Sequence, residues 1–381
     1  AQQPWPTVRQ DLQRTGQALT NVTTGDWTAS GFGGVAVTSP SIGPDGNIFL
    51  GREDDAGATA LLKFDPVDGS EITQGTLQGT PAGEPVITNN YVFVATIESG
   101  GQARLEIFDL SLNPVGSVAL NLSASAIDIV LSAPAVDAGN QRAYVTAGQN
   151  TTSNSDKLVA LDYSTPNDPN RAWKASVGSV SSGTFIATPV PNEGPLTDGI
   201  LAAGRDGELR AVSFDGTTTN TLPEPSAADA LQTPAVAADG TIYLMTSTAE
   251  SGSTLYSISN DGSTQNWNQS FSNPATAPVV GPDEVVHFAV TSGIISFDAT
   301  VHARNSSDGS EKWTRTYTGR VEIPPVVDGS GSVYASISSG GSSPQLVRIG
   351  SGGAEEWIRS VGSSSVPGFS GLALAADRTV Y

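Results

Sequence analysis

Short runs with an apolar residue at every second position alternate with polar turns along this chain, and the alternation returns in nearly fixed form. "SPSIGPDGNIFLG" (Ser39–Gly51), "APAVDAGNQRAYVTA" (Ala133–Ala147) and "TPAVAADGTIYLMT" (Thr233–Thr246) each read as proline, apolar run, tight polar turn, apolar run. A period of two marks a half-buried strand, and an Asp-Gly pair between two such runs marks a hairpin. A loop of variable length then leads to a third strand, such as "ALLKFDPVDG", "KLVALDYS", "ELRAVSFDG" or "TLYSISNDG". Another turn leads to a fourth, which in four units carries tryptophan: "RAWKASV", "TQNWNQSF", "SEKWTRTY" and "AEEWIRSV". Four strands of about five to seven residues are predicted per unit.

The recurring proline falls at Pro40, Pro85, Pro134, Pro189, Pro234, Pro278 and Pro325, and "LALAADRTVY" (Leu372–Tyr381) is an eighth copy with leucine in the proline place. The spacing of about 44 to 55 residues is that of propeller blades. One four-stranded sheet cannot bury both of its faces, whereas sheets set side by side around an axis cover one another and leave only short edges. The predicted fold is all-β: an eight-bladed β-propeller of four-stranded antiparallel blades forming a single domain over residues 1–381. Blades are expected to start near residues 38, 83, 132, 187, 232, 276, 323 and 370. Residues 1–24 are a lead-in segment. Residues 25–32, "GDWTASGF", read as a fourth strand with no blade before it, and Trp27 is expected on the outer strand of the eighth blade, closing the ring. The eighth unit then lacks its third strand, so the native chain is expected to run at least about twenty residues past Tyr381, or the last blade to be incomplete. Trp173, Trp267, Trp313 and Trp357 are expected to wedge between sheets, each burying about 150–250 Å².

Composition narrows the function classes. The 381 residues carry 38 Asp and Glu against 18 Lys and Arg, a net charge of −20. Such a surface repels phosphate backbones, which argues against nucleic-acid binding. Lysine occurs at Lys63, Lys157, Lys174 and Lys312 alone, a balance suited to hydration in salt. Cysteine is absent, which rules out disulfides, thiolate zinc sites and a cysteine nucleophile. No apolar run of about 18 residues exists to span a membrane as a helix. The opening "AQQPWP" looks like a mature end left by signal cleavage, so export to the periplasm, cell surface or medium is expected. Sequons at Asn21, Asn121, Asn150, Asn268 and Asn305 are at the frequency expected by chance in a chain rich in Ser, Thr and Asn.

Catalytic chemistry finds little footing. The two histidines, His287 in "EVVHFAV" and His302 in "DATVHARNSSDG", lie in one unit without metal-ligand spacing, and no nucleophile-elbow motif is present. Asp45, Asp68, Asp206, Asp215, Asp239, Asp261 and Asp308 each precede glycine. They read as turn chemistry, since calcium needs six to eight oxygens converging on one point. No catalytic, cofactor or metal residue is assigned. Function on a rigid scaffold tends to sit on long loops. The candidates are the loops between second and third strands: Arg52, Glu53, Asp54 and Asp55 in "GREDDAG", Glu98 and Arg104 in "IESGGQAR", Asn150 and Asp156 in "AGQNTTSNSDK", and the polar run "SISSGGSSPQ".

Two stretches carry a resemblance. "WPTVRQDLQRTG" (Trp5–Gly16) resembles the lead-in before the first blade, and "LAAGRDGELRAVSFDG" (Leu201–Gly216) the central hairpin, of the pyrroloquinoline-quinone-like (BamB-like) β-propeller repeat family. The resemblance covers essentially the whole chain. It implies either a non-catalytic scaffold, as in the outer-membrane assembly lipoprotein type, or a quinone-dependent dehydrogenase. The dehydrogenases carry a vicinal disulfide, an acidic calcium site and a catalytic aspartate; this chain has no cysteine. The lipoproteins begin with a lipidated cysteine, where Ala1 stands here. The expectation is an exported, non-catalytic module binding a protein or glycan partner, with a quinone dehydrogenase or a carbohydrate-binding or carbohydrate-active propeller as alternatives.

Overall fold

The computed structural model describes residues 35–122, 129–149, 155–179, 187–192, 199–221, 230–248, 252–260, 262–293, 297–338, 343–361 and 371–381. All regular structure among them is strand, and no helix is long and apolar enough to cross a membrane. Seven antiparallel sheets follow one another along the chain, each ordered first to fourth strand as the sequence runs. Their second strands are Ile48–Glu53, Tyr91–Ile97, Arg142–Gln149, Gly199–Ala203, Ile242–Thr248, Val285–Ser292 and Val333–Ile337. The first strands of successive sheets touch: Ser41–Ile42 meets Val86–Ile87, Ala135–Asp137 meets Val190–Asn192, and Val279–Val280 meets both Ala235–Val236 and Val326–Val327. The molecule is a β-propeller of four-stranded antiparallel blades.

The recurring proline interrupts each first strand because it has no N–H to give the ladder. Two residues earlier, where the ladder is already broken, a hydroxyl accepts a second-strand N–H: Thr38 Oγ1 from Gly51 (2.7 Å), Ser132 Oγ from Thr146 (3.0 Å) and Thr276 Oγ1 from Ala289 (3.1 Å). In four sheets the first strand therefore forms two short pieces, as at Val35–Ala36 and Ser41–Ile42, both paired with the second strand. The Asp-Gly turns work as local caps. Asp68, Asp215, Asp239 and Asp308 each accept, through Oδ1, the backbone N–H two residues ahead at 2.9 Å. Asp261 lies outside the described residues.

The expectation of eight four-stranded blades is corrected. Among the described residues seven such sheets form, and the eighth unit is one hairpin, joined by the Leu374–Val380 bridge and reciprocal bonds between Ala373 and Tyr381 (2.9 and 2.8 Å). The proposed closing strand, residues 25–32 with Trp27, lies outside the described residues. The hairpin packs on both sides. Leu372 and Leu374 join Val326 and Tyr334 of the seventh sheet, with Trp357 against them. Ala373 and Ala375 belong to the core that contains Ile42, Phe49 and Val86 of the first two sheets.

Three of the four predicted tryptophan wedges share one geometry. Trp173, Trp267 and Trp313 lie on fourth strands and donate their indole N–H to a carbonyl in the next sheet's third-to-fourth-strand turn: Phe214 (2.7 Å), Ser306 (2.8 Å) and Ser351 (2.9 Å). Each ring lies on a turn glycine of positive φ, namely Gly216 (+91°), Gly309 (+72°) and Gly353 (+82°). A Cβ there would stand 2.6–2.8 Å from the indole, so these glycines answer both a backbone and a packing demand.

Candidate functional site

A propeller offers two rims. The hairpin turns between first and second strands share one with the turns between third and fourth. The loops between second and third strands share the other with the connections from sheet to sheet, and all the candidate residues were placed near it.

In the first sheet Arg52 and Glu53 end the second strand, paired with Ala36 and Val35 on one side and Ala60 and Thr59 on the other. Asp54 is a turn former: its Oδ1 accepts from the N–H groups of Ala56 (2.9 Å) and Ala58 (2.7 Å), while the Gly57 N–H bonds its carbonyl. Asp55 through Ala58 are exposed at the tip. In the second sheet Glu98 and Arg104 face each other across their turn as an ion pair, and Arg104 also donates to Ser117 Oγ at 3.2 Å. Each retains about a quarter of its side-chain exposure, so the pair stays reachable from solvent. Asn150 lies outside the described residues.

Asp156 is placed otherwise than expected. It is 0% exposed and its carboxylate holds the Arg205 guanidinium, with Arg205 Nε donating to Oδ2 at 2.9 Å. The pair ties the third sheet to the fourth over Gly148, where a Cβ would collide with both side chains. Burial removes Asp156 from any surface contact. The sequence signal was incomplete: "GRDGELR" announces a charged turn but not that Arg205 turns inward, while Arg210 bonds Asp206 (2.7 Å) and the Val177 carbonyl (2.9 Å).

A second buried carboxylate on this side escaped notice. Glu106 accepts from the Gln78 backbone N–H (3.0 Å) and from Thr96 Oγ1 (2.7 Å), fixing the link between the first and second sheets. Burial raises its pKa, the donors from Thr96 and Gln78 opposing. On the opposite rim, Lys63 Nζ donates to Asp45 (2.7 Å) and to the Leu110 carbonyl of the next sheet (2.8 Å). Asp328 is fully buried beneath Arg348 (3.4 Å) and Arg378 (3.3 Å), which joins the hairpin to the seventh sheet. Burial raises the Asp328 pKa, but donors from Ser330 and Ser332 and the charge of Arg378 outweigh it and leave it below the ordinary carboxylate range.

His287 is 1% exposed, its ring 5.6 Å from that of Trp313. Burial pushes its pKa down to about 4, and neither nitrogen has a hydrogen-bond partner among the described residues. His302 stacks on Phe288 at 5.0 Å and is likewise lowered to about 4, by burial and then by Arg304. Both are held neutral, His287 in the core and His302 half-buried against Phe288. Among the described residues no three His, Asp or Glu side chains are grouped to hold a metal ion.

The sheets, tied together by contacts such as the buried Asp156–Arg205 pair and carrying polar loops at one rim, define a β-propeller. No family model and no curated protein sequence matches the chain. Solved structures do. BamB from Moraxella catarrhalis is similar at 17% identity over 82% of each chain, with a TM-score of 0.57. The computationally designed Ika8 protein is similar at 12% identity over 93% of this chain and 97% of that one, with a TM-score of 0.64. The fold is thus a BamB-like propeller, as the repeat resemblance implied.

Proposed function

We propose that this chain is a non-catalytic, exported scaffold that binds a protein partner through the rim carrying the 54–58 and 98–102 loops. The observation that carries the reading is the contrast along that rim. The inter-sheet charges, Asp156 with Arg205 and Glu106 with Gln78, are buried and satisfied, while the loop tips at Asp55–Ala58 stand exposed on a fixed base. A surface of that kind suits recognition, since the partner meets pre-ordered backbone rather than a mobile segment. Similarity to the BamB fold supports the same choice. Residues 1–381 make one domain in this reading, with the 372–381 hairpin at the eighth position among the described residues.

The test is affinity capture from native extract with the intact chain and with an Asp55→Arg, Glu98→Arg variant. A partner retained by the first and lost by the second supports the reading. A partner held equally by both moves the contact away from this rim. Addition of quinone and calcium that yields a bound chromophore and dye-linked oxidation of alcohols or sugars would replace the scaffold by an enzyme.

A further inference from the structure

The first-to-second-strand turns of the fifth and sixth sheets are bonded alike. In the fifth the Ala237 N–H reaches the Thr241 carbonyl at 2.8 Å and the Gly240 N–H the Ala237 carbonyl at 2.9 Å; in the sixth Gly281 reaches Val285 at 2.8 Å and Glu284 reaches Gly281 at 3.0 Å. The side chains beneath them differ. Ala237 packs in one buried cluster with Tyr243, whereas Gly281 lies against the shorter His287. The backbone does not demand glycine at 281, since its φ is outside the left-handed region. Space does. A Cβ there would stand 2.9 Å from Asp283 Oδ1, 3.4 Å from His287 Nε2 and 3.4 Å from Val327 Cγ1. Both polar atoms therefore face one small recess over this glycine, walled by Val327 of the seventh sheet. His287 is 1% exposed, and neither ring nitrogen has a hydrogen-bond partner among the described residues. Asp283 accepts from Lys312 Nζ through its other oxygen, Oδ2, at 2.9 Å, and its side chain is 37% exposed, so the recess opens to solvent on that side.

We propose that this recess is a binding site for one ordered water, which accepts a hydrogen bond from His287 Nε2–H and donates one to Asp283 Oδ1. An unpaired buried donor is costly, and a polar recess with at least two partners is what a buried water requires. A neutral imidazole has a single N–H. With the proton on Nε2 the water satisfies that donor; with the proton on Nδ1 the N–H is left dry, so the Nε2–H tautomer follows. Among the described residues no third His, Asp or Glu completes a metal site here, which leaves a neutral ligand of water's size. In the fifth sheet Tyr243, the register equivalent of His287, fills the corresponding place with its own ring and hydroxyl. The water ties turn 281–284 to the seam between the sixth and seventh sheets. It lies on the rim opposite the 54–58 and 98–102 loops and stands apart from what those loops bind.

NMR of the full chain carrying nitrogen-labelled histidine, at neutral pH, tests it, with His302→Phe assigning the two rings. The long-range proton–nitrogen spectrum is expected to show His287 as the Nε2–H tautomer. Its Nε2–H is expected to give a cross-peak to water with the sign of a long-lived bound molecule. Gly281→Ala puts a methyl into the recess, as the fifth sheet does at Ala237, and is expected to abolish that cross-peak while the Trp313 indole resonance stays in place. Ser351→Ala removes a hydroxyl from the turn that faces Asp283 across Gly331 and is expected to leave the cross-peak unchanged. A proton on Nδ1, or an Nε2–H without a water cross-peak in the unaltered chain, overturns the proposal. A cross-peak that survives Gly281→Ala overturns it as well, and so does one lost in Ser351→Ala, which would assign the signal to an exchanging hydroxyl.

Discussion

His287 stands where five of the other six sheets put a larger ring and the fourth puts Leu201. In second strands the residue across from the first strand is Tyr144, Tyr243 or Tyr334, or Phe49 or Phe93, and in the sixth sheet it is His287, across from Val279. Tyr243 sends its hydroxyl to the Ser306 carbonyl (3.4 Å) and Tyr334 to Asp328 (3.3 Å), but an imidazole is too short for that reach. With its folded pKa near 4 and an unfolded value near 6.5, His287 binds its proton more readily in the unfolded chain. Its contribution is fully present above pH 6.5 and is lost as pH falls toward 4, by at most about 3 kcal/mol. His287→Tyr, which restores the residue of the neighbouring sheets, is expected to flatten the fall in urea midpoint between pH 7 and 4; an unchanged slope would assign that fall to other groups. At Asp156 the expected effect is larger. Asp156→Ala removes the carboxylate that holds the buried Arg205 guanidinium, at a cost of about 3–5 kcal/mol, while Asp55→Ala at the loop tip stays within about 0.5 kcal/mol. Urea unfolding of the two variants side by side checks both.

Among the elements, the fourth strand does the joining. In all seven sheets its pairing with the third strand contains a bulge near the turn. In the sixth, Ala303 faces Trp313 and Arg304 faces Glu311, with Lys312 skipped. An extra residue bends the strand and increases its twist, which aims the indole at the neighbouring sheet, and it disturbs an edge that would otherwise pair with other chains. Where the fourth strand lacks tryptophan the receiving loop changes too. In the second sheet Gly116 takes the equivalent register position, and a Cβ there would stand 2.2 Å from the Pro166 carbonyl of the next sheet, so the loop fills the space the ring would need. Trp313→Ala removes a buried ring and its bond to Ser351 and is expected to cost about 3–5 kcal/mol, read as a lower urea midpoint. The strands and the four tryptophans were legible from alternation and repetition. The bulges were not, because one skipped residue leaves no mark in a period-two pattern.

For the molecule as a whole, the 372–381 hairpin lies between the first and seventh sheets and touches both cores. Among the described residues the hairpin contributes two short strands to this joint, where each of the seven sheets contributes four. Leu374, fully buried against Val326 and Tyr334, is the lever. Leu374→Ala is expected to cost about 2–5 kcal/mol and to speed hydrogen exchange first in the first and seventh sheets, while the third to fifth keep their protection. Uniform loss of protection in all seven sheets would mean that the ring opens as one cooperative unit.

Periodicity in the sequence determined that the chain makes four-stranded antiparallel units, where their turns fall and that they stack as a propeller, because strand alternation, Asp-Gly turns and a repeated proline are local constraints. It did not determine which charges stand exposed at the loop rim and which lock sheets together. Asp156 and Arg205 are 49 residues apart, and only packing of the third sheet on the fourth brings them together. Nor did it show that the last unit forms just a hairpin among the described residues or which turns receive a tryptophan. Those depend on contacts between neighbouring sheets, which no single repeat encodes.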